Sequence, residues 1–232
     1  MTGRVHSFQT LGTLDGPGIR FVVFLQGCNL RCSCCHNPDT WETSTGDLLT
    51  AEEVVNKALK YRAYFRDTGG ITLSGGEPLL QAKFAREIFE LCHENGINTC
   101  LDTSGSILNK DVKELLQFTD LVLLDIKYTN AVDYKKYVGC DMAQVLNFLD
   151  YLNTNKIKTV ARQVVIPTLT DTEANIKKLK ALIEASPAVQ ELELLPFKKL
   201  CQIKYKQLNK PFPFEHIPEM DVNKITPLYK IC

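Results

Sequence analysis

The sequence has no excess of charge of either sign, since Lys and Arg together number 27 and Asp and Glu also number 27. A protein that binds polyanions needs a surplus of basic residues to displace counterions. The chain also lacks a long apolar run. Its longest, residues 21–25, is far shorter than the roughly 20 residues that cross a bilayer. We therefore expect neither a nucleic acid nor a membrane as a partner.

The first residues lack the apolar core of a signal peptide, so we expect a cytoplasmic protein. The nine cysteines are a high and odd count. In a reducing compartment such a count indicates metal ligation or catalysis rather than a disulfide framework. Apolar residues make up 44% and charged residues 23% of the chain, which is typical of a globular protein.

The length of 232 residues suits one domain. We predict a single domain over residues 1–232, with a core at about 18–200. Beyond it, at about 201–232, four prolines punctuate a tail that we expect to be irregular.

Within the core, short runs rich in β-branched and aromatic residues alternate with longer helical stretches. Strands separated by helices pair in parallel through right-handed crossovers. We count roughly six such units, fewer than the eight or so of a closed (β/α) barrel. The predicted fold is α/β, a partial (β/α)6 barrel with parallel strands. The predicted strands cover residues 21–25, 71–74, 97–101, 121–124, 159–166 and 191–195.

Chemically distinctive residues follow the predicted strands, at the sheet edge where α/β folds bind their ligands. They are Cys28, Gly75, Gly76, Glu77, Asp102, Thr103, Asp125 and Lys127, with Arg162 inside the fifth strand and Lys198 beyond the sixth. This alignment indicates a functional site, because cysteines that merely staple a loop would not produce it.

Residues 28–37 hold the densest group of cysteines. Cys28, Cys32 and Cys35 have the spacing C-x3-C-x2-C and can converge on one metal centre. A 4Fe–4S cluster with three protein ligands would keep one iron open for catalysis. A zinc site that adds His36 is an alternative, and so is a redox pair of Cys34 with Cys35. The other five cysteines have no ligand spacing: Cys92, Cys100, Cys140, Cys201 and Cys232.

A second motif, Ser74-Gly75-Gly76-Glu77-Pro78, ends the next strand. Its paired glycines would let a ligand approach the backbone closely. Glu77 offers a carboxylate to an ammonium group. A plain Gly-Gly turn explains the motif by itself equally well, but the two motifs at successive strand ends are more specific together.

On these motifs the chain resembles the radical S-adenosylmethionine superfamily, and within it the family of pyruvate formate-lyase activating enzymes. The resemblance extends over most of the chain. The matching segments are residues 3–8, 15–20, 27–28, 35–41, 74–77, 99–103, 124–127, 162–167 and 193–196.

The resemblance implies that Cys28, Cys32 and Cys35 bind three irons of a 4Fe–4S cluster. S-adenosylmethionine would chelate the fourth iron through its amino and carboxylate groups. One electron then cleaves the sulfonium bond, and the 5′-deoxyadenosyl radical takes hydrogen from a glycine of a partner protein. In such enzymes the cofactor does the chemistry and the protein orients it.

The resemblance also assigns the residues that hold S-adenosylmethionine. Gly75, Gly76 and Glu77 match the motif that receives the methionyl amino group. Asp125 and Lys127 match another part of the site, with Lys127 near the methionyl carboxylate. The alternative for Lys127 is a solvated lysine. Arg162 is expected to face the site, with a structural ion pair as its alternative.

Asp102, Thr103 and Asp125 resemble a site for a monovalent cation, Na⁺ or K⁺, because their oxygens are hard ligands. Asp102 and Thr103 could instead cap a turn. Asp15 and His36 match residues that touch the glycine-bearing peptide, although Asp15 would otherwise pass as part of a turn and His36 as a local hydrogen-bonding group.

Two positions depart from the family pattern. Cys34 replaces an aromatic residue that usually lies near the adenine, and we assign it to the cofactor site with an added thiol. Lys198 stands where relatives often carry His, and we assign it to the same site as a remaining basic group.

The expected partner is a glycyl-radical enzyme, pyruvate formate-lyase, with flavodoxin or ferredoxin as the electron donor to a monomer. Activases of other glycyl-radical enzymes often carry extra cysteine clusters before the Gly-Gly-Glu motif. No cysteine occurs from residue 36 to residue 91, which favours the pyruvate formate-lyase type. A different glycyl-radical enzyme remains an alternative partner, and a non-catalytic zinc or iron–sulfur protein is the alternative from another class.

Overall fold

The computed structural model describes residues 1–229. The strands in this part are β1 (Thr2–Gly12), β2 (Arg20–Leu25), β3 (Asp47–Thr50), β4 (Gly70–Gly75), β5 (Asn98–Thr103), β6 (Leu121–Asp125), β7 (Thr159–Val165) and β8 (Val189–Pro196). The helices are α1 (Ala51–Leu59), α2 (Arg62–Phe65), α3 (Ala82–Glu94), α4 (Lys110–Leu116), α5 (Ala131–Tyr137), α6 (Met142–Asn155), α7 (Glu173–Glu184), α8 (Gln202–Gln207) and α9 (Ile225–Tyr229). Short 3-10 turns cover Pro38–Thr40, Pro78–Gln81 and Val222–Lys224.

The strands form a mixed sheet in the order β3-β1-β2-β4-β5-β6-β7-β8. β2 pairs with β4, β4 with β5, and β7 with β8 in parallel, whereas β1 pairs antiparallel with β2 and β3. The order does not return to its first strand, so the sheet is not closed. The predicted alternation of parallel strands and helices is confirmed, and the six predicted strands correspond to β2 and β4–β8.

The sequence-based prediction missed β1 and β3. β1 has a mostly half-buried or exposed pattern without an apolar run, so its composition does not mark it as a strand. Its strand conformation comes from backbone pairing with β2, the next strand, and with β3, which is more distant along the chain. Pairing of this kind cannot be derived from local sequence periodicity.

The chain divides into two compact units. The first comprises Met1–Asn29 and Thr40–Leu123, and the second comprises Leu30–Asp39 and the chain from Leu124 onward. The expectation of a single domain over residues 1–232 stays a prediction. No helix within residues 1–229 combines the length and the apolarity needed to cross a bilayer.

In the first unit, helix α1 begins with the capping box that the sequence predicts from Thr50 and Glu53, three residues apart. Thr50 Oγ1 accepts a hydrogen bond from Glu53 N at 3.2 Å, and Glu53 Oε2 accepts one from Thr50 N at 2.7 Å. This capping box satisfies two backbone donors that the helix itself leaves unpaired. Helix α3 buries one face, including Phe84, Ile88 and Phe89, and ends before Gly96 at φ +64. The sequence predicts this face from Phe84, Ile88, Leu91 and Cys92 and the helix end from Asn95-Gly96. The helix end is confirmed, and these apolar residues are buried except for the half-buried Leu91.

In the second unit, α6 has the capping box of Asp141 with Gln144, and α7 begins at the cap Thr172. The tail is less irregular than predicted, because α8, a 3-10 turn and α9 lie within it. Pro211, Pro213 and Pro218 lie between these elements, and Pro227 lies in the first turn of α9, where a proline removes no helical hydrogen bond. Residues 230–232, including Cys232, lie outside the described part of the chain.

Arg20 is the largest fully buried side chain of the first unit and ties the start of β2 to its neighbours. Its guanidinium donates to Thr72 Oγ1 at 3.0 Å, to Asn98 Oδ1 at 2.8 Å and to the carbonyls of Thr68, Ile71 and Asn98. Thr72 Oγ1 in turn donates to the carbonyl of Asp15 at 2.7 Å. Burial lowers the pKa of Arg20, but the five hydrogen bonds compensate for lost hydration. Arg20 therefore aligns the strands whose opposite ends carry the predicted site.

Replacing Arg20 by Lys should lower the free energy of unfolding by about 2–4 kcal/mol, because an ammonium cannot reach all the acceptors that the planar fork reaches. Urea unfolding measures this loss. Arg62→Lys, at an exposed position of the same unit, is the matched control and should change stability little. Equal stability of the two variants would contradict the role of Arg20.

Candidate functional site

The predicted site residues divide between the two units. The first unit contains Asp15, Cys28, Gly75, Gly76, Glu77, Asp102 and Thr103. The second contains Cys32, Cys34, Cys35, His36, Asp125, Lys127, Arg162 and Lys198.

The turn after β4 lies directly against the end of β2. Gly76 N donates to the Leu25 carbonyl at 2.9 Å, and Glu77 N donates to the Gly27 carbonyl at 2.9 Å. A Cβ atom on Gly76 would lie 2.1 Å from the Gly27 carbonyl oxygen, and Gly75 has φ +105. The paired glycines therefore permit two backbone segments to pack together. The sequence predicts that these glycines let a ligand approach the backbone closely. In the structure, the segment that lies against them is the backbone at the end of β2.

The same contacts fix the backbone beside Cys28. Gly27 N donates to the Thr40 carbonyl at 2.8 Å, and Cys28 N donates to the Trp41 carbonyl at 3.3 Å. The residues before and after the cysteine loop are thus joined at its base within the first unit. These hydrogen bonds fix the two ends of the cysteine loop relative to each other.

The carboxylate of Glu77 is 2% exposed and fully hydrogen-bonded. Oε1 accepts from Thr103 Oγ1 at 2.6 Å and from Leu79 N at 3.2 Å, while Oε2 accepts from Ser104 N at 3.0 Å and from Ser104 Oγ. Burial raises the pKa of Glu77, although these hydrogen bonds oppose the shift. Four hydrogen-bond donors fill the roughly four acceptor positions of a carboxylate. Glu77 therefore joins the ends of β4 and β5, and its role toward an ammonium group stays a prediction.

Two of the three residues predicted to bind a monovalent cation are already hydrogen-bonded in the first unit. Asp102 Oδ2 accepts from Ser74 Oγ at 2.6 Å, which joins β5 to β4. Thr103 Oγ1 donates to Glu77 and accepts from Gly105 N at 3.1 Å. The turn considered as an alternative is thus present at Thr103, and the cation stays a prediction.

The part of the cysteine loop in the second unit is fastened by its backbone. Ser33 N donates to the Tyr137 carbonyl at 2.7 Å, and Arg31 N donates to the Val138 carbonyl at 3.2 Å. Cys35 N donates to the Cys32 carbonyl at 3.0 Å, which makes a turn between these two cysteines. The end of α5 therefore holds the segment that presents both thiols.

Lys204 of α8 fastens the end of the same loop. Its Nζ donates to Asn37 Oδ1 at 2.8 Å and pairs with Asp39 Oδ2 at 3.0 Å. Sequence analysis did not assign a role to Lys204, because it lies in the tail far along the chain from its partners. A lysine in an otherwise unmatched segment carries no local signal of such a contact.

The thiols differ in exposure according to their position. Cys28, Cys32, Cys34 and Cys35 are half-buried, whereas Cys92, Cys100, Cys140 and Cys201 are buried. Three accessible soft ligands with the spacing C-x3-C-x2-C suit an iron–sulfur cluster by donor chemistry. Within residues 1–229, no three His, Cys, Asp or Glu side chains are gathered closely enough to be recognised as a site for a single metal ion.

Cys34 lies between the predicted ligands Cys32 and Cys35. Burial raises the pKa of its thiol to about 11. A thiol that keeps its proton at neutral pH is a poorer metal ligand than a thiolate. The assignment of Cys28, Cys32 and Cys35 as the ligand set stays a prediction.

Asp125, Lys127 and Arg162 form an ion triad in the second unit. Lys127 Nζ lies 2.9 Å from Asp125 Oδ2, and Arg162 Nη2 lies 3.2 Å from Asp125 Oδ1. Burial would raise the pKa of Asp125, but the two cations outweigh it and lower the pKa. Burial would likewise lower the pKa of Lys127, but Asp125 and the thiols of Cys32 and Cys34 raise it well above its usual value. The ion pair considered for Arg162 exists, and it joins residues predicted for one site.

Lys198 and His36 contact each other through the backbone. His36 Nε2 donates to the Lys198 carbonyl at 3.0 Å, and burial lowers the pKa of His36. The Lys198 ammonium lies 3.5 Å from Glu219 Oε2 and 3.5 Å from the Met220 carbonyl. Its amine is therefore engaged with the C-terminal segment, and its contact with a cofactor stays a prediction.

Two further residues support the site without having been predicted. Ser104 donates twice to Glu77, and Tyr134 Oη accepts a hydrogen bond from Lys127 N at 3.1 Å. Ser104 could have been suspected from its place directly after Thr103 at a strand end. Tyr134 lies in α5, a helix that sequence periodicity did not reveal.

The chain is similar in sequence to one protein family and to several named proteins. Residues 22–179 match the Radical SAM superfamily. The chain is 46% identical over 229 residues to a pyruvate formate-lyase-activating enzyme of Clostridium pasteurianum, covering 98% of this chain and 96% of that protein. It is 39% identical to the pyruvate formate-lyase 1-activating enzyme of Escherichia coli (strain K12), covering 93% and 89%.

The fold is also similar to solved structures of low sequence identity. A radical SAM methyltransferase from Sphaerobacter thermophilus superposes with a TM-score of 0.66 at 19% identity, covering 91% of this chain and 63% of that chain. At this identity the likeness supports the fold alone.

Replacing Gly76 by Ala should destabilise the protein by about 3 kcal/mol, because the new methyl group would overlap the Gly27 carbonyl. Gly96→Ala is the control: its φ of +64 adds a backbone strain that Gly76 does not have, but its methyl group would meet nothing closer than 3.8 Å. The control should lose about 1–2 kcal/mol in urea unfolding. A smaller loss in Gly76→Ala than in the control would contradict the packing described for this turn.

Replacing Asp125 by Asn should lower the free energy of unfolding by about 2–4 kcal/mol at neutral pH, because Lys127 and Arg162 lose their shared carboxylate. The folded-state pKa of Asp125 is lowered, so its contribution is complete above the unfolded-state value of about 3.9 and is lost as the pH falls through the folded-state value. Urea unfolding of both proteins from about pH 7 to about pH 3 should show the difference shrinking in acid.

The exposed Asp67, changed to Asn, is the control for that series. Its stability should follow the wild type at each pH. A difference between wild type and Asp125→Asn that stays constant down to the lowest pH would contradict a depressed pKa.

Proposed function

The chain belongs to the Radical SAM superfamily, and we propose that it is the activase of pyruvate formate-lyase, taking hydrogen from a glycine of that enzyme. The observation that carries the proposal is the 46% identity to a pyruvate formate-lyase-activating enzyme across 98% of this chain. Family membership implies a 4Fe–4S cluster and S-adenosylmethionine as cofactors. The donor chemistry of the cysteine loop is compatible with both.

We assign Cys28, Cys32 and Cys35 as the cluster ligands. When bound, the cluster supplies the electron for reductive cleavage of S-adenosylmethionine. The chain's own part is to hold the loop at its base through Gly27 and Cys28, and along its length through Ser33 and Arg31. Such backbone anchoring keeps the thiols in place and limits side reactions of a reactive cofactor.

The ion triad provides the charge that a methionyl carboxylate needs. Lys127 and Arg162 contribute two positive charges and Asp125 one negative charge, which leaves a net charge of one positive. The side chains of Lys127 and Asp125 remain 19% and 24% exposed, so a ligand can reach them. Because Asp125 fixes both cations, the site is organised before the ligand binds.

Glu77 takes a different part from the one expected on sequence alone. Its four hydrogen bonds align Thr103 and Ser104 with the Gly-Gly turn. Its buried negative charge still favours an ammonium ion nearby. We propose that Glu77 positions the strand ends and acts on the methionyl amino group through its charge, together with Gly75 and Gly76.

We also propose a monovalent cation, Na⁺ or K⁺, with Asp102, Thr103 and Asp125 as its ligands. Both oxygens of Asp125 already face a cation, so binding a further one requires an ion pair to loosen.

We also propose which residues contact the protein substrate and S-adenosylmethionine, and which protein supplies the electron. Asp15 and His36 are proposed to touch the glycine-bearing peptide, with His36 neutral at pH 7 because its pKa is lowered. Cys34 and Lys198 are proposed to border S-adenosylmethionine. Flavodoxin or ferredoxin is the proposed electron donor to a monomer in the cytoplasm.

An anaerobic electron paramagnetic resonance experiment tests the function. The reconstituted and reduced protein is mixed with S-adenosylmethionine and pyruvate formate-lyase. We expect the doublet of a glycyl radical in wild type and its loss in Cys28→Ala, because that variant removes a cluster ligand. Cys92→Ala, which removes a buried thiol of the same unit, is the matched control and should keep the doublet.

The other outcomes are distinct. Formation of 5′-deoxyadenosine without the doublet would replace pyruvate formate-lyase by another glycyl-radical enzyme as the partner. Neither product from a fully loaded protein would overturn the catalytic proposal and favour a non-catalytic metal-binding protein.

A further inference from the structure

Tyr128 carries a buried hydroxyl group that the contacts described so far leave unexplained. The residue is 2% exposed, and its Oη atom has no hydrogen-bond partner within residues 1–229. An unbonded hydroxyl in the interior costs free energy, and most such groups in native proteins have a partner. The Tyr128 hydroxyl therefore requires a hydrogen-bond acceptor that does not belong to the described residues.

The ring of Tyr128 is held in place by two other tyrosines. It stacks on Tyr137 with ring centroids 5.4 Å apart and meets the edge of Tyr134 at 6.3 Å. Tyr134 is itself fixed through its hydroxyl, which accepts from Lys127 N. Packing on two sides keeps the Tyr128 hydroxyl from turning to solvent.

The same stack lies beside the cysteine loop. The Tyr137 carbonyl accepts from Ser33 N at 2.7 Å, and Ser33 stands between Cys32 and Cys34. After burial, the largest influence that raises the pKa of Tyr128 is the thiol of Cys34, and Cys32 adds to it. Tyr128 is thus placed within electrostatic range of the loop that presents the proposed cluster ligands.

We propose that Tyr128 Oη donates a hydrogen bond to a sulfur atom of the iron–sulfur cluster that the loop holds. This inference rests on the proposed function, because it requires the cluster. Sulfurs of such a cluster accept hydrogen bonds, and these bonds are one of the ways in which a protein sets the reduction potential. The hydroxyl breaks no existing bond within the described residues in order to make this one.

The hydrogen bond has a definite electrochemical consequence. Reduction adds negative charge to the cluster, so a donor at a sulfur stabilises the reduced form more than the oxidised form. Tyr128 therefore raises the midpoint potential and makes the cluster easier to reduce. It is a positioning residue that acts on the cofactor through hydrogen bonding and carries no electron or proton itself.

Tyr128→Phe tests the proposal, because it removes only the hydroxyl and retains the stacked ring. In the reconstituted variant we expect about a fivefold smaller ratio of reduced to oxidised cluster at a given potential, which for one electron is about 40 mV. A redox titration followed by electron paramagnetic resonance measures this shift. Tyr137→Phe, which removes the hydroxyl of the neighbouring ring, is the matched control and should keep the wild-type potential.

A second measurement uses the metal-free protein. If the hydroxyl serves only the loaded loop, Tyr128→Phe should unfold at the same urea concentration as wild type or a higher one, because it removes an unbonded polar group. A lower unfolding midpoint would reveal a structural partner and overturn the proposal. A lower unfolding midpoint would overturn the proposal even if the variant fails to take up a cluster.

The outcomes separate this inference from the function on which it rests. A loaded Tyr128→Phe protein with the wild-type potential would overturn the role of Tyr128 and leave the activase proposal intact. A wild-type chain that takes up no cluster under reconstitution would overturn both.

Discussion

The carboxylate of Asp125 pairs with two cations at the strand ends of the second unit, and the proposed cofactor site depends on that pairing. Without it, Lys127 and Arg162 would repel each other and each would bear an uncompensated loss of hydration. With it, they keep a net positive charge in a fixed arrangement. A site that binds a carboxylate needs such a charge in place beforehand, because reorganising it during binding would consume affinity.

A second constraint acts on the backbone of the first unit. The hydrogen bonds of Gly76 and Glu77 to the end of β2 leave no space for a side chain at Gly76. Glu77 extends the connection to β5 by accepting from Thr103 and Ser104. The Gly75-Gly76-Glu77 motif, which the sequence predicts to bind a ligand, thus also packs strand ends together. The two functions are compatible, since rigid strand ends are what hold a binding loop precisely.

The cysteine loop shows how a reactive segment can be held without long secondary structure. Backbone pairing joins its base in the first unit, and Tyr137 and Lys204 hold other parts of it in the second. Side chains from the loop are thereby left available, which matters because a cluster needs the thiols themselves. Beside the loop, Tyr128 stacks on Tyr137, whose carbonyl accepts a hydrogen bond from Ser33 N.

The sequence by itself determined the six strands of the parallel core, the capping of α1 and the end of α3, because short apolar runs and capping residues act locally. It also determined the family, through spaced motifs that need no structure to be recognised. Tertiary structure alone decided the pairing of β1 with β3, the four donors on Glu77 and the contact of Lys204 with the loop. These depend on residues far apart in the chain, and no periodicity or spacing encodes which distant groups will satisfy a buried charge or an edge strand.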